Sequence, residues 1–218
     1  SVAMTRTALV AGPTGLVGHK LVQRLLRDPA YGEVRALSRR ALGLSHPRLR
    51  VIETTYEHLA ALGDALSVDD VFCCLGTTLR KAGSRAAFED VDYRMVVELA
   101  HASRAAGARR FLVVSAVGAS EHSAVFYSRV KGRMEAAVSA IDFEAVHIVR
   151  PSLLLGERAE ARPAEALAQK LMPAVAPLLR GPLAKYHPVS ADEVAAALAR
   201  LALRGDRGVH VHHWPFTV

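Results

Sequence analysis

Thr7-Ala-Leu-Val-Ala11 runs directly into Gly12-Pro13-Thr14-Gly15-Leu16-Val17-Gly18, and a helix-length segment follows to Arg27, closed by Asp28-Pro29. An apolar run of strand length, a glycine at every third position and then a helical pattern describe a strand, a tight turn and a helix. The same alternation continues through most of the 218 residues. Strands are predicted at about Thr7 to Ala11, Glu33 to Leu37, Arg50 to Thr54, Asp70 to Leu75, Arg110 to Ser115 and Phe143 to Val149. Helices are predicted at Gly15 to Arg27, Glu57 to Leu66, Ala86 to Ala106 and Ala124 to Ala140. Each strand candidate is apolar almost throughout, as strands covered by helices on both faces are. The expectation is an α/β fold with a doubly wound parallel sheet.

After Arg150-Pro151 the texture changes, and Pro163, Pro173, Pro177, Pro182 and Pro188 break up Ala- and Leu-rich pieces. We read a single domain, in which residues 1–150 form the ligand-binding core and 151–218 a small segment capping the carboxyl edge of the sheet. Ser190 and Glu193 have capping-box spacing at the start of a late helix that ends at Gly205, and a last strand is expected at Val209 to His213. Ser1-Val2-Ala3 ahead of Met4 reads as an expression remnant without structural weight.

Composition narrows the partners. Lys and Arg number 28 against 21 Asp and Glu, a net +7, and 51% of residues are hydrophobic, as in ordinary globular chains. The basic residues are scattered from Arg6 to Arg207 with no patch or stripe, and Tyr56, Tyr93, Tyr186 and Trp214 do not interleave with them, so nucleic acid is not expected. No run of 18 apolar residues occurs, and Ala8 to Val17 is interrupted by glycines and proline, so neither a membrane span nor a signal peptide is expected. Cys73 and Cys74 are adjacent and should point to opposite strand faces, which prevents a mutual bridge and fits a reduced, cytoplasmic compartment.

The opening turn has the chemistry of a dinucleotide site. Gly12 permits the turn, Gly15 lets backbone amides approach a pyrophosphate, and Gly18 lets the helix pack closely, with its N-terminus facing the negative charge. At the end of the second strand stand Ser38-Arg39-Arg40 rather than a carboxylate, and guanidinium groups there suit a ribose 2′-phosphate, so NADP is expected over NAD. Tyr127 and Lys131 are four apart in a helical segment and share a face. A free tyrosine is only about one part in a thousand phenolate at neutral pH, and a nearby cation is what makes it useful as an acid and base. Ser115 closes the strand Phe111-Leu-Val-Val-Ser115, where its hydroxyl could meet a substrate oxygen, with Ser120 and Ser123 as alternatives. His210 and His212 would share a strand face, but no metal-ligand spacing is complete and no metal is expected; His187 reads as a turn residue, with the substrate cleft as its alternative setting.

With these residues the chain resembles the short-chain dehydrogenase/reductase superfamily, among its extended and atypical members. Phe72-Cys-Cys-Leu-Gly-Thr-Thr-Leu-Arg-Lys-Ala-Gly83, Val91-Asp-Tyr93, Tyr127-Ser-Arg-Val-Lys-Gly132 and Val149-Arg-Pro-Ser-Leu-Leu-Leu155 look like its Tat-interacting oxidoreductase-like branch. The resemblance implies a Rossmann fold, NADPH at Gly12 to Gly18, Leu75-Gly76-Thr77 lining the cofactor, and Tyr127 as acid and base. It also implies that Lys131 holds the nicotinamide ribose and favours the phenolate. Ala116 departs from a second serine common in the family, and the short carboxyl-terminal part weighs against a nucleotide-sugar substrate. The expected activity is NADPH-dependent reduction of a carbonyl or similar small molecule; the competing expectation is a cofactor-binding regulator that meets a protein partner.

Overall fold

The computed structural model describes residues 4–152, 154–155 and 170–217; Ser1-Val2-Ala3, Leu153 and Pro163 lie outside the described residues. The strands are β1 (Arg6–Ala11), β2 (Tyr31–Ser38), β3 (Leu49–Glu53), β4 (Asp70–Cys73), β5 (Arg110–Val114), β6 (Ala145–Arg150), β7 (Leu154–Leu155), β8 (Val189–Ser190) and β9 (Gly208–His213). Helices α1 (Leu16–Arg27), α2 (Leu79–Ala82), α3 (Arg85–Glu89), α4 (Val96–Ala105), α5 (Phe126–Ser139) and α6 (Ala191–Ala202) connect them. Seven strands form one sheet in the order β3-β2-β1-β4-β5-β6-β9, every neighbouring pair parallel. β7 and β8 make a separate parallel pair in the carboxyl-terminal segment. This is a Rossmann-type, doubly wound fold.

Each central strand feeds two cores. Val10, Phe72, Leu112 and Val149 face Leu21 and Leu25 of α1 and Val194 and Leu198 of α6. Leu9, Val71, Phe111 and Ile148 face the other way, onto Leu99 of α4 and Met134 and Val138 of α5. Burial on both faces is why the strands read as unbroken apolar runs. Cys73 and Cys74 divide between the two faces in the same way, and both are free thiols. α6 begins as the spacing predicts, the Ser190 hydroxyl accepting from the Glu193 N–H at 3.1 Å.

At the amino edge the sheet is fastened around one buried carboxylate. Asp70 accepts from the Tyr31 hydroxyl at 2.6 Å, from Arg6 at 3.1 Å and from Arg110 at 2.9 Å. β1 and β4 are adjacent where the strand order reverses, so the loops leaving their carboxyl ends flank the crevice in which folds of this type bind ligands.

Three elements differ from expectation. β4 stops at Cys73 rather than Leu75, because its last partner on β1, Ala11, gives way to the Gly12 turn. The segment expected as a helix from Glu57 is a 3-10 stretch, Leu59–Leu66, broken at Gly63, whose φ of 53° and ψ of −121° are not helical. The long helix expected from Ala86 to Ala106 is α3, then a π turn over Asp90–Met95, then α4.

Candidate functional site

The glycine turn owes two of its glycines to the chain itself. Gly12 has φ +77°, and a Cβ there would lie 2.6 Å from the Cys74 carbonyl oxygen. A Cβ on Gly18 would come within 1.9 Å of the Gly12 carbonyl oxygen. Gly15 is different, because its φ is −77° and its Cβ would make only an ordinary 3.6 Å contact. It is the N-cap of α1 and offers no side-chain cap, and no acidic residue follows in the first turn. The N–H groups of Leu16, Val17 and Gly18 therefore have no acceptor within the helix, and the positive end of its dipole is uncompensated. Pro13 is buried and Thr14 exposed on the turn. The small Gly15 position and the α1 amides that lack an acceptor within the helix fit a pyrophosphate.

Beside this turn, Ser38 is buried at the end of β2, its hydroxyl donating to the Arg40 carbonyl at 2.7 Å. That bond curls the chain so that Arg39 and Arg40 are both exposed at the carboxyl edge. Arg39 leans over the Tyr56 ring, 5.8 Å from its centroid, and reaches the Met95 sulfur at 3.1 Å. Exposed guanidinium groups at this place fit a phosphate on the ribose.

On the other side of the crevice Leu75, Gly76 and Thr77 leave β4. The Thr77 N–H donates to Asp92 Oδ2 at 3.0 Å, and Asp92 Oδ1 meets Lys131 Nζ at 2.7 Å. Both side chains of that pair are buried. Gly76 lies directly over it, since a Cβ there would be 3.6 Å from Asp92 Oδ1 and 3.9 Å from Lys131 Nζ. Tyr127, one helical turn before Lys131, is half-buried; its ring packs on Phe88 at 5.3 Å and its centroid is 5.8 Å from Lys131 Nζ. Burial opposes the Lys131 charge, but the Tyr127 oxygen and the Asp92 carboxylate outweigh it and hold Lys131 above the ordinary lysine range.

Ser115 follows β5 at the same edge and is buried. Its hydroxyl donates to Glu135 Oε2 at 2.5 Å, and Glu135 also accepts from Arg150 at 2.5 Å and 3.0 Å. Tyr127, Lys131 and Glu135 thus occupy successive turns of one face of α5. Ser120 and Ser123 sit in the loop before that helix, their hydroxyl oxygens accepting from the His122 and Val125 N–H groups at 3.2 Å and 3.1 Å. This loop lies against α5 so closely that a Cβ on Gly132 would be 2.2 Å from the Ser120 carbonyl carbon.

The structure brings Ser115, Tyr127 and Lys131 to the sheet edge of the glycine turn, together with Asp92, Glu135 and Arg150, which sequence spacing alone does not single out. Glu135 was signalled by its place two turns after Tyr127, and Asp92 only by its presence in Val91-Asp-Tyr93. His210 and His212 do share a face, joined by His147 of β6, whose Nδ1 is 2.9 Å from His212 Nε2. Burial and the facing His212 push His147 down to about 4. His187 stacks on Trp214 with centroids 3.7 Å apart and packs within the carboxyl-terminal segment.

A family model described as NAD(P)H-binding matches residues 12–202. Protein HTATIP2 of Rattus norvegicus is 34% identical over 169 residues, covering 76% of this chain and 69% of that protein. Protein fmp52, mitochondrial, of Aspergillus fumigatus is 33% identical over 208 residues, covering 92% of this chain and 88% of that one. Among solved structures, the Bordetella bronchiseptica enzyme WbmG in complex with NAD superposes with a TM-score of 0.69 at 17% identity, over 97% of this chain and 74% of that one. MoeE5 in complex with UDP-glucose and NAD gives a TM-score of 0.69 at 21% identity, over 94% and 74%. At those identities the likeness is one of fold. The cytoplasmic location expected from the sequence is corrected by the fmp52 relatives, which are named mitochondrial. Composition and cysteine pairing report on redox conditions and not on which compartment supplies them.

Proposed function

From the premise that this chain belongs to the NAD(P)H-binding family, in the HTATIP2 and FMP52 branch of the atypical short-chain dehydrogenases/reductases, we propose that it is an NADPH-dependent oxidoreductase for a carbonyl or similar small molecule. One observation carries this reading. Tyr127 stands a turn from the buried ammonium of Lys131 at the same sheet edge as the open Gly15 cradle.

The α1 amides at Gly15 to Gly18 would hold the pyrophosphate, Arg39 and Arg40 the 2′-phosphate, and Leu75 to Thr77 the face of the dinucleotide toward β4. When bound, the cofactor supplies a hydride. Tyr127 gives its phenolic proton to the substrate oxygen, and Lys131 holds the nicotinamide ribose while steadying the phenolate left behind. Ser115 serves the developing oxyanion by exchanging its hydrogen bond to Glu135 for one to the substrate oxygen. Tyr127→Phe should keep NADPH affinity within about twofold, since the ring remains, and lower turnover at least a hundredfold on any carbonyl or quinone that the wild type reduces. Unchanged turnover would remove Tyr127 from the reaction.

A second reading, a cofactor-binding regulator with a protein partner, draws on the commitment of the Ser115 hydroxyl to Glu135. Bound NADPH without oxidation across a broad carbonyl and quinone panel would favour it.

A further inference from the structure

The carboxyl edge of the sheet beyond Ser115 carries basic side chains that the proposed chemistry does not use. Glu135 is fully committed there, accepting from the Ser115 hydroxyl at 2.5 Å and from the Arg150 guanidinium at 2.5 Å and 3.0 Å. Arg150 closes β6, and its partner across the sheet is His213, the last residue of β9. Strand residues alternate between faces, so His213 shares the α5 side with Arg150 while His212 meets His147 on the other. Trp214, the next residue, stacks on His187, whose carbonyl accepts from the Ser152 hydroxyl at 2.7 Å. These contacts bring the 3-10 stretch Gly181–Tyr186, with Lys185, to the ends of β6 and β9.

Two basic side chains meet at this place with no acid to match them. Arg150 is paired with Glu135, whereas neither Lys185 nor His213 forms an ion pair with a described residue, and Lys185 lies over the Tyr186 ring at 5.3 Å. The groups facing His213 are Arg150 from β6, Lys185 from the 3-10 stretch, Glu135 from α5 and His212 from its own strand. Burial, then Arg150 and Lys185, hold His213 below the ordinary histidine range against the smaller pull of Glu135, so the local field is positive. Ser115, whose N–H donates to the Val149 carbonyl of β6, stands two strand spacings from His213, about 10 Å between backbones, which a small molecule spans.

We propose that the substrate is a carbonyl compound bearing an anionic group, a carboxylate or a phosphate, and that Lys185 and His213 receive this group while the carbonyl lies at Ser115 and Tyr127. The inference rests on the oxidoreductase reading and names the substrate class for that site. Lys185 supplies a standing charge. His213 takes up a proton as the anion arrives, because the incoming negative charge opposes the field that keeps the imidazole neutral.

Two pairs of aldehydes test this on the full chain with NADPH: 4-carboxybenzaldehyde against methyl 4-formylbenzoate, and glyceraldehyde 3-phosphate against glyceraldehyde. In at least one pair kcat/KM should be about tenfold or more higher for the charged member, and Lys185→Met, a change at an exposed position, should lower that ratio about fivefold or more. A preference in one pair alone identifies the anion as carboxylate or as phosphate, and ratios within about twofold in both pairs would overturn the proposal. A second readout needs no turnover. Proton NMR follows the His213 imidazole, assigned by its loss in His213→Gln, in the presence of NADPH and of the alcohols 4-(hydroxymethyl)benzoate, glycerol 3-phosphate or glycerol. A charged alcohol should raise the His213 midpoint by about half a unit or more and glycerol should leave it in place; a midpoint unmoved by either charged alcohol would overturn the proposal. If no aldehyde is reduced while the midpoint still rises, the oxidoreductase reading fails and the anion site stands. If aldehydes are reduced without regard to charge, the anion site fails and the oxidoreductase reading stands.

Discussion

Gly18 sits so close to Gly12 that a single methyl group on it would lie 1.9 Å from the Gly12 carbonyl oxygen, whereas the same group on Gly15 would find 3.6 Å. The first spacing is a demand of the fold and the second is room left for something else. Gly18→Ala should therefore destabilise the chain by about 2 kcal/mol or more, since backbone must move to admit the atom. Gly15→Ala should cost less than about 1 kcal/mol in stability, yet weaken NADPH binding at least about tenfold. Urea denaturation and fluorescence titration of NADPH, run on both variants, would separate the two roles. Equal loss of stability would show that Gly15 is structural.

Arg39 and Arg40 project from the carboxyl end of β2 and owe that position to the Ser38 turn. Replacing both by alanine should weaken NADPH by about 10- to 100-fold while changing NADH affinity about twofold or less, because only NADPH has a 2′-phosphate to lose. Paired dissociation constants at fixed salt provide the measurement. Parallel losses for the two cofactors would mean that the phosphate is read elsewhere.

His147 is buried between β6 and β9 beside His212, and its value falls from the ordinary 6.5 to about 4. The unfolded chain then binds a proton between those two values that the folded chain does not. Stability contributed by neutral His147 is fully present above about pH 6.5 and is lost as the pH falls toward 4, by up to about 3 kcal/mol. His147→Gln should flatten that part of the stability curve, measured by denaturant unfolding at several pH values. An unchanged slope would assign the acid sensitivity to other groups.

The fold was legible because it is carried by local pattern. Continuous apolar runs located six strands of the main sheet to within about two residues, with the seventh at Val209 to His213, and Ser190 with Glu193 located the start of α6. The candidate site was legible only where its residues are neighbours in sequence, as in Gly12 to Gly18 and Tyr127 with Lys131. What escaped was set by distant partners. Asp92 meets Lys131 across 39 positions, and Ser115 turns its proton toward Glu135 across 20. His147 joins His212 across 65. The 3-10 stretch at Leu59–Leu66 escaped for another reason, since Gly63 departs from helical geometry within an otherwise helical composition.

The helical path between α3 and α4 passes through the π turn Asp90–Met95. Such a turn accommodates an extra residue within a helix, so the segments before and after it are out of rotational phase with each other. Phe88 upstream thereby packs on Tyr127 while Leu99 downstream enters the core behind the sheet. The pairing of Asp92 with Lys131 is in that sense inherited as a length and not as a letter. A homologous chain one residue shorter at this point could keep the glycine turn, the tyrosine, the lysine and the aspartate, and still have no carboxylate beneath the loop that follows β4.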